Sequence, residues 1–190
     1  LVNEFQQKSK IPLMIGMDAE WGVFQRIAAA HKFPWAMTLG AIQDKTLITE
    51  MAAKIAEDCK RMGINWDFAP VVDVNTNPNN PVIGNRSFGS EVLNVVNSAM
   101  AYSKGLQDHN ILAAIKHFPG HGDTDKDSHL DLPVVSHSLK RLTEIELAPF
   151  KALMDKGIGG VMVAHLYVPA LEKSKGIPAS VSKEVITGIL

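Results

Sequence analysis

The sequence predicts an α/β fold: a parallel sheet covered by helices, forming part of a (β/α)8 barrel. Three observations lead there. Near-continuous apolar segments, the pattern of strands buried on both faces, alternate with stretches of helical periodicity. The chemistry-bearing residues Asp18, Asp73, Lys116, His117 and His165 each close one of those segments, at the strand end where barrels build their sites. The rival, an open doubly wound sheet, lacks its glycine-rich phosphate fingerprint, because Gly16 and Gly22 do not fit it. A full barrel takes about 250 residues, so this chain should hold about five of the eight βα units.

The elements follow in order. Pro12 to Met17 reads as a buried strand and Ala36 to Ala41 as a weaker one. Thr46 to Met62 is a helix, with Leu47, Met51, Ile55, Cys59 and Met62 at three-to-four spacing and Gly63 as its stop. Ile64 to Val72 reads as a strand with Asp67 awkwardly inside it. A polar stretch from Asp73 to Gly89 follows. Ser90 is placed to cap a helix whose apolar face is Val92, Val95, Val96, Ala99, Met100 and Leu106. Ile111 to Ile115 is a further strand, running directly into Lys116 and His117. A second long loop, Phe118 to His137, leads to a helix around Leu139 to Lys156, which Pro149 should kink or restart. Gly159 to Ala164 is the last strand, and Ser182 to Leu190 reads as helix. No repeat or low-complexity stretch interrupts this order. With no Met at residue 1 and a helical pattern running to Leu190, the expectation is the N-terminal part of one domain that continues past residue 190. A further C-terminal domain would fit that expectation, and no export signal is visible.

Composition narrows the function classes. Nineteen basic against 20 acidic residues leave a net charge of −1, which gives no footprint for nucleic acid or an anionic membrane. No apolar run approaches the roughly 18 residues that span a bilayer. A single cysteine, Cys59, excludes an internal disulfide framework and a cysteine-rich metal cluster.

Chemistry concentrates between residues 117 and 137, which hold His117, His121, His129 and His137 together with Asp123, Asp125, Asp127 and Asp131. Loops of about 20 residues inside compact domains are usually functional or disordered. Asp123, Asp125 and Asp127 mimic the opening of a calcium loop, yet Ser128 and Val134 stand where that loop needs Gly and Glu. Pro119-Gly120 between His117 and His121 argues against a helical zinc pair. No metal and no cofactor are therefore expected. A serine hydrolase is also disfavoured, for want of a Gly-x-Ser-x-Gly elbow.

Lys116-His117-Phe118-Pro119-Gly120-His121-Gly122-Asp123-Thr124, followed by Asp127-Ser128-His129, closely resembles the signature of family 3 glycoside hydrolases of the β-N-acetylglucosaminidase type. Ile15-Gly16-Met17-Asp18 with Glu20, Phe68 to Val74, and Pro81 to Gly89 resemble the family's other segments in order and spacing. The resemblance implies a retaining exo-glycosidase on a (β/α)8 barrel, acting on terminal GlcNAc of peptidoglycan fragments or chitin-like sugars. Asp18, Arg86, Lys116 and His117 would then hold the sugar hydroxyls, since buried carboxylates and charge-assisted donors fix a ring's pose.

By the same analogy His129 is the general acid/base and Asp127 its partner. An imidazole titrating near 6.5 can protonate a leaving oxygen and then deprotonate water near neutrality. The covalent mechanism also needs a carboxylate nucleophile on the opposite ring face. The resemblance places it on a strand after the last helix read here, and neither Asp155 nor Glu172 matches its motif. A histidine is neutral after giving up its proton, so phosphate could serve as acceptor, and phosphorolysis stays open. A β-glucosidase of the same family and a non-catalytic sugar-binding module also stay open. Glu20-Trp21-Gly22-Val23 stands where the family commonly has Glu-Gly-Gly-Arg. Trp21 reads either as drift or as a platform for an apolar sugar face.

Overall fold

The computed structural model describes residues 1–125 and 132–190. Four strands, β1 (Gly16–Met17), β2 (Trp66–Asp67), β3 (Leu112–Phe118) and β4 (Gly160–Val163), pair side by side in chain order, and every pairing is parallel. Among the described residues seven α-helices accompany them: α1 (Val2–Lys8), α2 (Ala36–Gly40), α3 (Thr46–Arg61), α4 (Val92–Gln107), α5 (Leu139–Arg141), α6 (Ala148–Met154) and α7 (Lys183–Gly188). Parallel neighbours need a crossover, and here α2 with α3, then α4, then α5 with α6 supply the three.

Each long helix forms because one face is apolar. In α3, Ile48, Ala52, Ile55, Ala56 and Cys59 are buried, Lys60 and Arg61 complement the C-terminal dipole, and Gly63 turns the chain with φ of 74°. In α4 the buried stripe is Val95, Ala99, Tyr102 and Leu106. The two helices meet closely at Gly105, where a β-carbon would lie 2.3 Å from the Thr49 carbonyl oxygen.

Several elements differ from the sequence reading. Ala36 to Ala41, expected as a strand, is the helical turn α2, so the described residues carry four strands. Six residues, apolar except Thr38, have no period that separates strand from helix. What decides is packing: Gly40 backs directly onto the Phe88 carbonyl. The strand expected from Pro12 begins only at Gly16, because Leu13 and Met14 remain exposed. Ile64 to Val72 contributes only Trp66–Asp67, and β3 runs on through Lys116 and His117 to Phe118. Helix α4 is preceded by Glu91 rather than Ser90 and has no side-chain cap. The helix expected over Leu139 to Lys156 divides into α5, a π-helical turn at Leu142–Glu146, and α6, with Pro149 in the first turn of α6. Ser182 caps α7 by accepting the Val185 N–H at 3.1 Å.

Asp67 has a structural use. It is fully buried in β2, and its Oδ1 accepts the Ala19 N–H at 2.9 Å, which ties the segment after β1 to the sheet. Burial pushes its carboxyl up to about 7, against the Ala19 N–H and Lys116, which favour the charged form.

Two expected outcomes follow from this packing. Gly105→Ala should destabilise the fold by about 1–3 kcal/mol, as overpacking does, read as a lower urea midpoint; an unchanged midpoint would refute the close approach. Asp67 binds its proton to about 7 when folded but only to about 3.8 when unfolded. Its contribution to stability is therefore present at low pH and lost as pH rises through that interval. Asparagine cannot ionise, so the melting temperature of Asp67→Asn minus that of wild type should grow between about pH 4 and pH 8. A difference that stays flat or shrinks would count against a protonated Asp67.

Candidate active site

The C-terminal strand ends converge on a pocket of about 450 Å³ lined by Asp18, Glu20, Arg86, Lys116, His117 and His165. Asp18 directly follows β1. Lys116 lies in β3, 1% exposed, and its Nζ sits 2.8 Å from both Asp18 Oδ1 and Glu20 Oε1. A buried ammonium persists only when carboxylates compensate its lost hydration. Arg86 comes from a 3-10 turn, Gly84–Arg86, in the loop after β2. It grips Glu20 bidentately, with Nε 3.0 Å from Oε2 and Nη2 2.8 Å from Oε1. Arg26 pairs with the other oxygen of Asp18.

Two consecutive strand residues, Lys116 and His117, both line this pocket, although strand side chains normally alternate between faces. The cause is a register shift. Lys116 pairs with Met162 and Phe118 with Val163, so His117 is an extra residue on β3, and such a bulge re-aims a side chain. His117 Nε2 lies 3.2 Å from Arg86 Nη2, and its Nδ1 lies 2.7 Å from Asp73 Oδ2. A guanidinium can only donate, so Nε2 accepts and Nδ1–H donates to Asp73. Asp73 is fully buried and also accepts the His121 backbone N–H at 2.6 Å.

The electrostatics follow from these contacts. Burial would raise the carboxyls of Asp18, Glu20 and Asp73. Lys116 and Arg26 outweigh it at Asp18, and Arg86 and Lys116 do so at Glu20. At Asp73, His117 and the His121 N–H outweigh it. All three are held below the ordinary carboxylate range, so the pocket wall is a fixed array of ionised, mutually paired groups. Such an array can orient a polyhydroxylated ligand without rearranging.

The structure thus brings Asp18, Arg86, Lys116 and His117 together. Asp127 and His129 lie outside the described residues. Asp73 was noted from sequence at a strand end and Glu20 within the first-strand motif, but neither was assigned a role in the site. Glu20 could have been found by its spacing, two residues after Asp18 beyond the same strand. Asp73 stood at a strand end, but nothing local showed that it would orient a histidine 44 positions away.

A second polar cluster lies beside the long loop. Asp123, His137 and Glu146 bring one donor atom each within 4.8 Å of one another, the spacing of a metal-ligand set. Arg141 Nη2, however, is 3.1 Å from Glu146 Oε1 and 3.8 Å from Asp123 Oδ2, so a guanidinium already balances these carboxylates.

Residues 2–190 match the glycosyl hydrolase family 3 N terminal domain. Beta-hexosaminidase A of Pseudoalteromonas piscicida is 39% identical over 200 residues, covering 97% of this chain and 33% of that protein. A glycoside hydrolase family 3 beta-N-acetylglucosaminidase from Paenibacillus sp. str. FPU-7 superposes with a TM-score of 0.94 at 42% identity, over 99% of this chain and 36% of that one. NagZ from Neisseria gonorrhoeae does so with a TM-score of 0.91 at 34% identity, over all of this chain and 56% of that one. The chain thus spans between a third and just over half of the length of these three relatives. Its parallel sheet and crossover helices are those of the family's barrel-type N-terminal domain, and the chain belongs to glycosyl hydrolase family 3.

Proposed function

We propose that this chain supplies the sugar-binding face and the acid/base of a retaining exo-β-N-acetylglucosaminidase that removes terminal GlcNAc from peptidoglycan- or chitin-type glycans. The observation that carries the reading is the pocket wall itself. Asp18, Glu20, Lys116, Arg86 and His117 form a continuous hydrogen-bonded frame at the C-terminal ends of β1 and β3. The relatives named as hexosaminidases and N-acetylglucosaminidases support the choice of sugar.

In this reading, the frame orients the terminal ring, with carboxylates accepting from hydroxyls and Lys116 and Arg86 donating to them. His129, with Asp127 as its partner, protonates the departing oxygen and later activates the incoming water. The nucleophile is an aspartate supplied by sequence after residue 190, within the same barrel domain, and a further C-terminal domain is compatible with the partial coverage of the relatives. The enzyme's partner is then a GlcNAc-terminated carbohydrate.

The test uses the chain with its continuation past Leu190. An aryl N-acetyl-β-glucosaminide should be hydrolysed in preference to the matching β-glucoside. His129→Ala should reduce that hydrolysis by about 10²–10⁴-fold, the range of general acid–base catalysis. Residues 1–190 alone should turn over neither substrate. Preference for the glucoside would discard the sugar assignment, and release of a sugar phosphate in phosphate buffer would replace hydrolysis by phosphorolysis. Turnover by residues 1–190 alone would displace the nucleophile from the continuation.

A further inference from the structure

The loop after β3 leaves the sheet at Phe118 and returns to α5 at Leu139. Its outgoing stem is held by the neighbouring loop. Asn80 Nδ2 donates to the His121 carbonyl at 2.7 Å, Asn77 Nδ2 donates to the Thr124 carbonyl at 3.1 Å, and a β-carbon on Gly122 would meet the Val74 carbonyl. Its returning stem is held from a different element. The Val135 N–H donates to the Tyr167 carbonyl at 2.9 Å and the Tyr167 N–H to the Pro133 carbonyl at 3.0 Å. Between the stems runs a direct link, His137 Nε2 to Asp123 Oδ2 at 2.6 Å, across 14 positions of sequence.

The link has its own support. Arg141 and Glu146 are five residues apart, a spacing that an α-helix turns to different sides and that a π-helical turn brings onto one side. The turn at Leu142–Glu146 is π-helical, closed by the Leu147 N–H on the Leu142 carbonyl at 2.8 Å. It lets Arg141 Nη2 reach Glu146 Oε1 while staying 3.8 Å from Asp123. Glu146 in turn packs its stem on Gly120, where a β-carbon would lie 2.7 Å away. The outgoing stem, the returning stem and the π turn are therefore joined through four side chains, three of them charged.

We infer that Asp123, His137, Arg141 and Glu146 form a positioning clasp that fixes both flanks of the segment bearing Asp127 and His129, and so sets the delivery of the proton to the leaving group. This rests on the acid/base reading above. None of the four lines the sugar pocket, so they act through the dyad and not on the substrate.

The test exploits leaving groups in the chain with its continuation. A 2,4-dinitrophenolate departs without protonation, whereas a phenolate needs the acid. For each variant, the ratio of kcat/KM on the phenyl to that on the 2,4-dinitrophenyl N-acetyl-β-glucosaminide is taken in one sample. A misfolded fraction cancels from that ratio. His137→Ala and Asp123→Ala should each lower the ratio by about 10–100-fold, short of a complete loss of the acid. The double variant should lose little more than either single one, as for two ends of one contact. His129→Ala should lower the ratio further still.

A drop in the ratio for His129→Ala with none for His137→Ala or Asp123→Ala overturns the clasp and leaves the acid/base in place. No drop for His129→Ala overturns the acid/base assignment and the clasp with it. Additive losses in the double variant overturn the pairing of Asp123 with His137.

Discussion

The arrangement depends on one buried ammonium group. Lys116 sits in the middle of the sheet, almost wholly removed from water, and is stable there because Asp18 and Glu20 each approach it to 2.8 Å. Removing one partner of such a group leaves a charge that neither water nor protein compensates, typically at a cost of about 3–5 kcal/mol. That constraint fixes more than a lysine. It requires the segment after β1 to run along the top of β3, and it requires Arg86 to cross from the β2 loop so that Glu20 is neutralised from its other side. The backbone between the two carboxylates is secured independently, from Asp67 below and from the Tyr102 hydroxyl, which lies 3.2 Å from the Ala19 and Glu20 carbonyls.

A site held in this way is rigid before any ligand arrives. Each charged group in the wall already has a partner, so a polyhydroxylated ligand of the kind proposed would have to fit between existing ion pairs. In the proposed reading the selection is directional, because the remaining acceptor and donor capacity of these pairs points in fixed directions. The bulge at His117 extends the same wall by one side chain, and the buried Asp73 fixes the orientation of that ring.

Much of this was legible in the sequence and some of it was not, for physical reasons. The long helices α3 and α4 declared themselves because sixteen residues sample an apolar period many times. Ala36 to Ala41 did not, because a single turn has too few residues to show a period, and the close approach of Gly40 to the Phe88 carbonyl settles its conformation. The π turn was also hidden, since an inserted residue in a helix changes only where later side chains point. Asp18, Lys116 and His117 were readable from their place at strand ends. Glu20 was within reach through its spacing from Asp18, whereas the role of Asp73 depends on His117, 44 positions away, and single-sequence reasoning has no access to that distance. The second half of the long loop's motif, Asp127 and His129, was readable as a motif, but those residues are not among the ones the structure describes.

The π turn carries a consequence for how this region can vary. Within it, Leu142 and Glu146 are buried, whereas Thr143 and Glu144 face outward. The outward side chains make only local contacts, Thr143 Oγ1 donating to the Leu139 carbonyl at 2.8 Å and Glu144 lying 3.9 Å from Lys140, and neither contact holds Arg141 to Glu146. The number of residues in the turn cannot change. Removing one residue would restore ordinary helical winding and swing Glu146 by about 100° away from its arginine, with Pro149 already fixing where α6 must begin. A one-residue deletion in this stretch should therefore cost more than a substitution at either outward position, which is the reverse of the usual behaviour of a surface turn.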